Sequence, residues 1–349
     1  MIELLFTFVV GLLTGLLFYK LKVPGGMMIG AIVGVAALGI TTGMSSMPYY
    51  AKFVAQTTAG AFIGCSIEKS DIKRMPYLIK PLSVLLGIYL IVNLTVGIII
   101  WKTTPVDLTT ALMSAVPGGM SDTPIIAADM GANAAQVAVL QFVRMTVGIG
   151  FFPWLIQNID KKYGVDEADS IADSHVRHKT GERSNKIFAA TLVIAVLGGI
   201  TGRVLGIPAG VLVFSMIAVM VFKLASGHGF LPMWAKRLAQ VLSGAYVGSG
   251  ITRSDLFELK YLMLPAVTII IFFTVNCLLT GYLLYRKFGF SRKVSMLIAT
   301  PAGASDMALI SSDIGVNSTD LIVMQVARMI LVISIFPQVI QFVVNALGG

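Results

Sequence analysis

Charge is what this sequence has least of: only 12% of its 349 residues are Asp, Glu, Lys or Arg, where a soluble domain carries roughly a quarter. Cysteine is nearly absent as well. Cys65 and Cys277 both sit inside apolar stretches, so neither a disulfide framework nor a zinc site is indicated. The three histidines, His175, His178 and His228, lie outside the confident apolar spans. Copper or iron oxidation chemistry needs a cluster of His or carboxylate ligands, so no enzyme, cofactor or metal site is expected. His175 and His178, three apart in a hydrophilic stretch, read as a solvated pair rather than a weak metal site. No basic residue precedes Ile2 and no small-residue cleavage site follows the first apolar run, so that run reads as a span rather than a signal peptide.

Apolar residues fill the space that charge leaves. They make up 56% of the chain, and the mean hydropathy is +0.86. Runs long enough for the ~30 Å hydrocarbon layer recur from Leu4 to Tyr19, Pro81 to Trp101, Ala134 to Leu155, Ile187 to Ile200, Tyr261 to Leu284 and Leu321 to Val344. The expected class is an all-α, multi-pass protein of the cell inner (cytoplasmic) membrane. The net charge of +9 then reflects basic residues held on the cytoplasmic side, and no nucleic-acid partner is expected.

Displaced by 184 residues, the sequence matches itself without a gap. Val23-Pro24-Gly25-Gly26 falls on Ile207-Pro208-Ala209-Gly210, Ala51-Lys52 on Ala235-Lys236, Ala55-Gln56 on Ala239-Gln240, and Gly60 and Gly64 on Gly244 and Gly248. From Thr110 to Gln157, 18 of 48 positions are identical. The matches include Pro, Gly, Ser, Asp, Asn, Gln and Arg, so apolar bias does not account for them. The chain divides into a first membrane repeat (1–158), a hydrophilic cytoplasmic linker (159–186) and a second repeat (187–349).

The first copy holds spans near 2–19, 27–43, 52–67, 80–101 and 134–157, and a segment at 108–131 broken by Pro117-Gly118-Gly119. If that segment turns back, the second copy is inverted, and 19 basic residues lie inside against five outside. If it crosses, the better orientation gives 15 against nine. The positive-inside bias therefore favours two inverted repeats, each of five helices plus a re-entrant broken-helix hairpin.

The break carries the chemistry. Ala115 to Asp122 (AVPGGMSD) corresponds to Ala299 to Asp306 (ATPAGASD). Proline removes a ladder donor and glycine admits close backbone approach. Lipid cannot satisfy the groups this frees, so such a break survives only within protein or beside a watery cavity. Ser121-Asp122 before Pro124 reads as a helix start, Gly131 as the end of a short helix, and the second copy repeats the pattern. A half-helix N-terminus suits an anion, and the unwound carbonyls with Asp122 and Asp306 suit Na⁺ or a proton. Ser121 is equally a helix cap or a ligand. Asn133, Gln141 and Arg144 follow, paired with Asn317, Gln325 and Arg328. Each Arg either holds a solute carboxylate bidentately or forms an ion pair with Asp129, Asp313, Asp122 or Asp306. The Gly-x-x-x-Gly pairs read as close helix packing, and Pro24 and Pro208 as turn residues.

These motifs, with Gln-x-x-Arg after each break, resemble the membrane AbrB-duplication family, which is distinct from the DNA-binding regulator of that name. The resemblance covers nearly the whole chain outside the linker. The family's labels, regulator of gene expression and ammonia monooxygenase, imply no mechanism here. The architecture is also similar to 2-hydroxycarboxylate and glutamate–sodium symporters, whose halves are inverted five-span units with a Gly-rich hairpin. By that likeness Gly118, Gly119, Ser121, Ala302, Gly303 and Ser305 line the solute site, with Pro117 and Pro301 at the breaks; Ala302 departs from a strict Gly-Gly. The leading expectation is an ion-coupled secondary transporter of a small organic anion with elevator-like alternating access. The alternatives are a membrane solute sensor that regulates gene expression, and a membrane oxidoreductase. The expected partners are the bilayer and a small-molecule solute, and a homodimer is allowed.

Overall fold

The computed structural model describes residues 2–163, 185–301, 311, 316 and 318–347. Its regular elements are helices: α1 (Ile2–Lys20), α2 (Gly26–Thr42), α3 (Tyr49–Gly64), α4 (Lys69–Thr103), α5 (Leu108–Ser114), α6 (Thr123–Asp129) and α7 (Ala134–Tyr163) in the first copy. The second copy holds α8 (Asn185–Val204), α9 (Gly210–Ser226), α10 (Met233–Ser249), α11 (Arg253–Glu258), a 3₁₀ turn (Leu259–Leu262), α12 (Met263–Phe288), α13 (Arg292–Ile298) and α14 (Thr319–Leu347). The bounds of α2 and α5 recur 184 residues on, in α9 and α13. Six helices, α1, α4, α7, α8, α12 with its 3₁₀ turn, and α14, are long and apolar enough to cross a membrane, and α2 and α9 are shorter apolar helices. No more than 33% of the most apolar window of any of the six is buried inside the protein. Side chains such as Leu13, Leu197, Leu279 and Phe342 project outward, as lipid-facing residues do. This is a polytopic all-α membrane protein.

One boundary differs from the sequence reading. The fourth helix begins at Lys69, not near residue 80, and runs through Pro76 and Pro81. The Glu68 N–H donates to Asp71 Oδ2 at 2.8 Å, which ties down the N-terminus, so two missing ladder donors do not end the helix. At about 52 Å it overshoots the hydrocarbon layer. The matching stretch of the second copy breaks instead into α11, the 3₁₀ turn and α12.

The helices sort into two groups. α1, α2 and α3 pack with α8, α9 and α10, while α4 to α7 pack with α12, α13 and α14. Within the first group the Gly-x-x-x-Gly pairs admit backbone to backbone. A Cβ on Gly60 would lie 2.5 Å from the Leu212 carbonyl oxygen, and one on Gly244 2.4 Å from that of Met28. Those two contacts are the same contact displaced by one repeat. The turn before α2 needs φ of +64° at Gly25, and Ala209 takes φ of +57° in the matching turn, a conformation costly for a residue with a Cβ. The largest apolar core lies mainly in the second group and reaches across the seam to Ile63 and Leu212.

Candidate functional site

The broken segment is built by local caps. Asp107 accepts from the Thr110 N–H at 2.8 Å and starts α5. Helix stops after Ser114 and resumes at Thr123, with Pro124 in its first turn. α6 ends at Asp129 as expected, and the chain leaves it through Gly131, which has φ of +74°. The Ala132 N–H returns to the Ala127 carbonyl at 2.9 Å, a left-handed C-terminal closure. The Asn133 N–H then donates to Thr110 Oγ1 at 2.8 Å, so the segment ends beside the point where it began. α5 and α6, seven residues each, are about 10 Å long, a third of the hydrocarbon thickness.

The Gln and Arg of α7 satisfy the carbonyls that the break strands. Gln141 Nε2 donates to the carbonyls of Met113, Ser114 and Val116 at 3.3, 3.2 and 3.0 Å. Arg144 donates to Val116 and, at 2.6 Å, to Gly118. The second copy repeats the device: Gln325 donates to Leu297 at 2.7 Å, and Arg328 to Ile298 and Thr300 at 3.3 and 2.7 Å. Gln141 is 0% and Arg144 4% exposed. Arg144 lies ten residues into α7, about 15 Å along a 1.5 Å rise, half the ~30 Å layer. A guanidinium is costly there unless its donors are used, and carbonyls without water need donors. Each requirement meets the other. Tyr89 of α4 ties the first copy to the second break: its hydroxyl donates to the Ala299 carbonyl at 2.8 Å and accepts from Arg328 at 3.3 Å.

On the far side of the break the expected caps are not made. Asp122 occupies the position before α6 without a side-chain capping bond. Its carboxylate folds over Gly119, where a Cβ would lie 2.6 Å from Oδ2. Ser121 Oγ accepts from Gln240 Nε2 of α10 at 3.0 Å, and the Lys236 ammonium acts on the Asp122 carboxylate. A cavity of about 550 Å³ opens at this point between the two helix groups. Gly118, Gly119, Ser121, Asp122, Arg144 and Pro301 line it. Pro117 is buried behind it. Gln141, Gln325 and Arg328 back the breaks without forming its wall. Asn133 lies elsewhere: its Oδ1 accepts from the N–H groups of Ala135 and Gln136 at 3.1 and 3.2 Å, and its Nδ2 donates to Asp255 at 2.8 Å. Gly303, Ser305, Asp306, Asp313 and Asn317 fall outside the described residues, as do His175, His178 and residues 164–184 of the linker.

Asp129 has its partner on α3, not on α7. Lys52 Nζ lies 2.5 Å from Asp129 Oδ1, and Gln56 donates to Oδ2. Lys52 also faces the rings of Tyr49 and Tyr246 at 5.8 and 5.2 Å. This clamp holds α3 to the C-terminal end of α6. The cavity begins at the other end of α6 and follows α3 from Ala55 past Ile63. Sequence reasoning assigned no role to Lys52, Gln56, Lys236 and Gln240. The signal was present in the duplication, because Lys and Gln four apart share one helix face and recur in both copies.

Comparison with known proteins is consistent across the chain. The model of a family described as Transition state regulatory protein AbrB matches residues 72–344. A Bacillus subtilis (strain 168) protein named "Uncharacterized protein YhjN" is 26% identical over 265 residues, covering 72% of this chain and 68% of that one. An Escherichia coli (strain K12) protein named "Putative regulator AbrB" is 22% identical over 339 residues, covering 96% and 94%.

Proposed function

The chain belongs to the AbrB family, and from that premise we propose that it is a secondary transporter moving a small organic anion across the cell inner membrane with a coupling H⁺ or Na⁺. The observation that carries this reading is the cavity of about 550 Å³ at the break, whose wall combines Asp122, Arg144 and Lys236 with apolar side chains. Ligand sites for small molecules have this size and this mixture. Discontinuous helices at the interface between repeats are the usual place for solute and ion.

In this reading α5 and α6 form a re-entrant hairpin, and the two copies are inverted relative to one another. Helices α4 to α7 and α12 to α14 move as one body against α1 to α3 and α8 to α10. The Lys52–Asp129 clamp shuts one end of the seam while the cavity occupies the other, and transport alternates the two. Asp122 carries the coupling ion.

Flux into proteoliposomes tests the proposal. Under an imposed pH or Na⁺ gradient, the reconstituted protein accumulates at least one of a panel of radiolabelled carboxylates, and Asp122→Asn abolishes the dependence on the gradient. Flux that is the same in empty liposomes would reject it. Saturable binding without flux would favour the second reading, a membrane solute sensor with a regulatory role, in line with the word regulator in the name of the Escherichia coli relative.

A further inference from the structure

Four basic residues crowd the corner between α12 and α13. Arg286 and Lys287 lie in the last turn of α12, and Arg292 and Lys293 open α13. Gly289, with φ of +74°, turns the chain between them, and Ser291 caps α13 by accepting from the Val294 N–H at 3.3 Å. No acidic residue occurs between Glu258 and Asp306, so no neighbour in the sequence offsets this charge. The matching positions of the first copy are Lys102, Thr103, Leu108 and Thr109, which carry a single positive charge. Basic residues hold a corner on the cytoplasmic side of the membrane, and for that their number is enough.

The arrangement of the side chains goes further than number. Arg286 lies over the Tyr282 ring at 5.9 Å, and Arg292 over the Tyr285 ring at 5.2 Å. Arg292 and Lys293 are engaged within the protein. Arg286 and Lys287 are exposed, and neither has a hydrogen-bond or ion-pair partner among the described residues. Val275, Leu279 and Tyr282 are exposed too, the last two by 65% and 61%. With Arg286 they stand at offsets of four, seven and eleven residues, which places them on one helix face. Arg286 is about 16 Å along the axis from Val275, half of the ~30 Å hydrocarbon layer. An apolar stripe as long as one leaflet therefore ends at two exposed cations.

We infer that this corner is a binding site for one anionic phospholipid, with its phosphate on Arg286 and Lys287 and an acyl chain laid along Leu279 and Val275. A guanidinium meets phosphate with two parallel N–H···O bonds, and it gives up water more readily than an ammonium does. Tyr282 belongs at the headgroup level, where amphipathic rings settle. Basic pockets on the cytoplasmic side of helical membrane proteins recognise lipid headgroups by this chemistry. α13 leads directly into the second break at Thr300-Pro301, so a lipid bound here steadies the root of that break. The inference rests on the membrane assignment and not on the transport reading.

Native mass spectrometry of the full chain in detergent micelles tests the site, with dioleoylphosphatidylglycerol as probe and dioleoylphosphatidylcholine as control. The two lipids share their acyl chains and differ in headgroup charge. Phosphatidylglycerol should fill a first site with an affinity roughly tenfold or more above that of phosphatidylcholine. Arg286→Gln combined with Lys287→Gln should lower that affinity about fivefold or more and leave phosphatidylcholine unchanged. Leu279→Asn keeps both cations and should weaken phosphatidylglycerol about threefold or more, which tests the acyl stripe separately. Lys260→Gln serves as a matched control near the other end of α12, where Lys260 lies over the Tyr261 ring at 4.9 Å, and should change nothing. Inorganic phosphate in excess should not displace the lipid, because it lacks the chain. Equal affinity for the two lipids, unchanged affinity in the double variant, an equal loss in Lys260→Gln, or displacement by inorganic phosphate would overturn the site.

Discussion

Replacing Asp129 with leucine takes the counter-charge from an ammonium that is 3% exposed. Removing one partner of a buried ion pair costs about 3–5 kcal/mol, because the other charge stays out of water. The faces of Tyr49 and Tyr246 return about 1–2 kcal/mol of that by cation–π attraction. Gln56, 0% exposed, loses the acceptor for its Nε2, and a stranded buried donor costs about 1–3 kcal/mol. Asp129→Leu is therefore expected to destabilise the protein by about 3–6 kcal/mol. Lys52→Met with Asp129→Leu removes both charges and leaves only the amide unsatisfied. That double variant should lie within about 2 kcal/mol of the unmodified protein. Unfolding by SDS in mixed micelles, followed by far-UV circular dichroism, measures all three single and double variants. The signature is a coupling energy of about 2–3 kcal/mol. Strict additivity, or a double variant no more stable than Asp129→Leu, would refute the clamp as an energetic unit.

Arg144→Lys keeps the charge but cannot hold the carbonyls of Val116 and Gly118 with one planar fork; it should cost about 2 kcal/mol in the same titration, and Arg144→Met about twice that, as two carbonyls are stranded. Gly244→Val places a Cβ 2.4 Å from the Met28 oxygen, so α2 and α10 must part; a loss of about 2–3 kcal/mol is expected, whereas at Gly87, where a Cβ meets nothing within 4 Å, Gly→Ala should be neutral or stabilising. Asp255, outside the spans, is pushed upward by partial burial, but hydrogen bonds from the Thr252 hydroxyl and N–H and from Asn133 outweigh this and hold it below the usual carboxylate range. A lowered folded-state value stabilises above the unfolded value, about 3.9, and that contribution is lost as pH falls through the folded one; Asp255→Asn should flatten stability against pH below about 4. If the copies are inverted, single cysteines at Gly43 and Gly227, with Cys65 and Cys277 replaced, should be labelled by an impermeant maleimide from opposite faces; labelling from one face would refute that topology.

Much of the architecture was legible because its signals are local or repetitive. Apolar runs announce spans through length alone, and Gly131 announces the end of α6 because only an αL position asks for glycine there. The start of α4 was placed near residue 80 because the apolar run begins only at Pro81, whereas the helix extends back to Lys69, where Asp71 ties down its N-terminus. Asn133 was grouped with Gln141 and Arg144 by proximity in the chain. Its position ten or so residues nearer the end of the segment makes it a cap and a tie to Asp255 instead of part of the cavity wall.

The chain read alone determined that it is membrane-spanning, twice repeated, and interrupted at Pro117 and Pro301, since burial of backbone in lipid and an ungapped self-match need no knowledge of neighbours. It could not determine who satisfies whom. Arg144 faces carboxylates and carbonyls of equal merit on paper, and only packing shows that α7 runs beside α5 and delivers the guanidinium to Val116 and Gly118. Lys52 and Lys236 are the same residue in two copies. Folding hands one to Asp129 and the other to the cavity beside Asp122, because α3 and α10 meet opposite ends of α6, a relation that exists only in three dimensions.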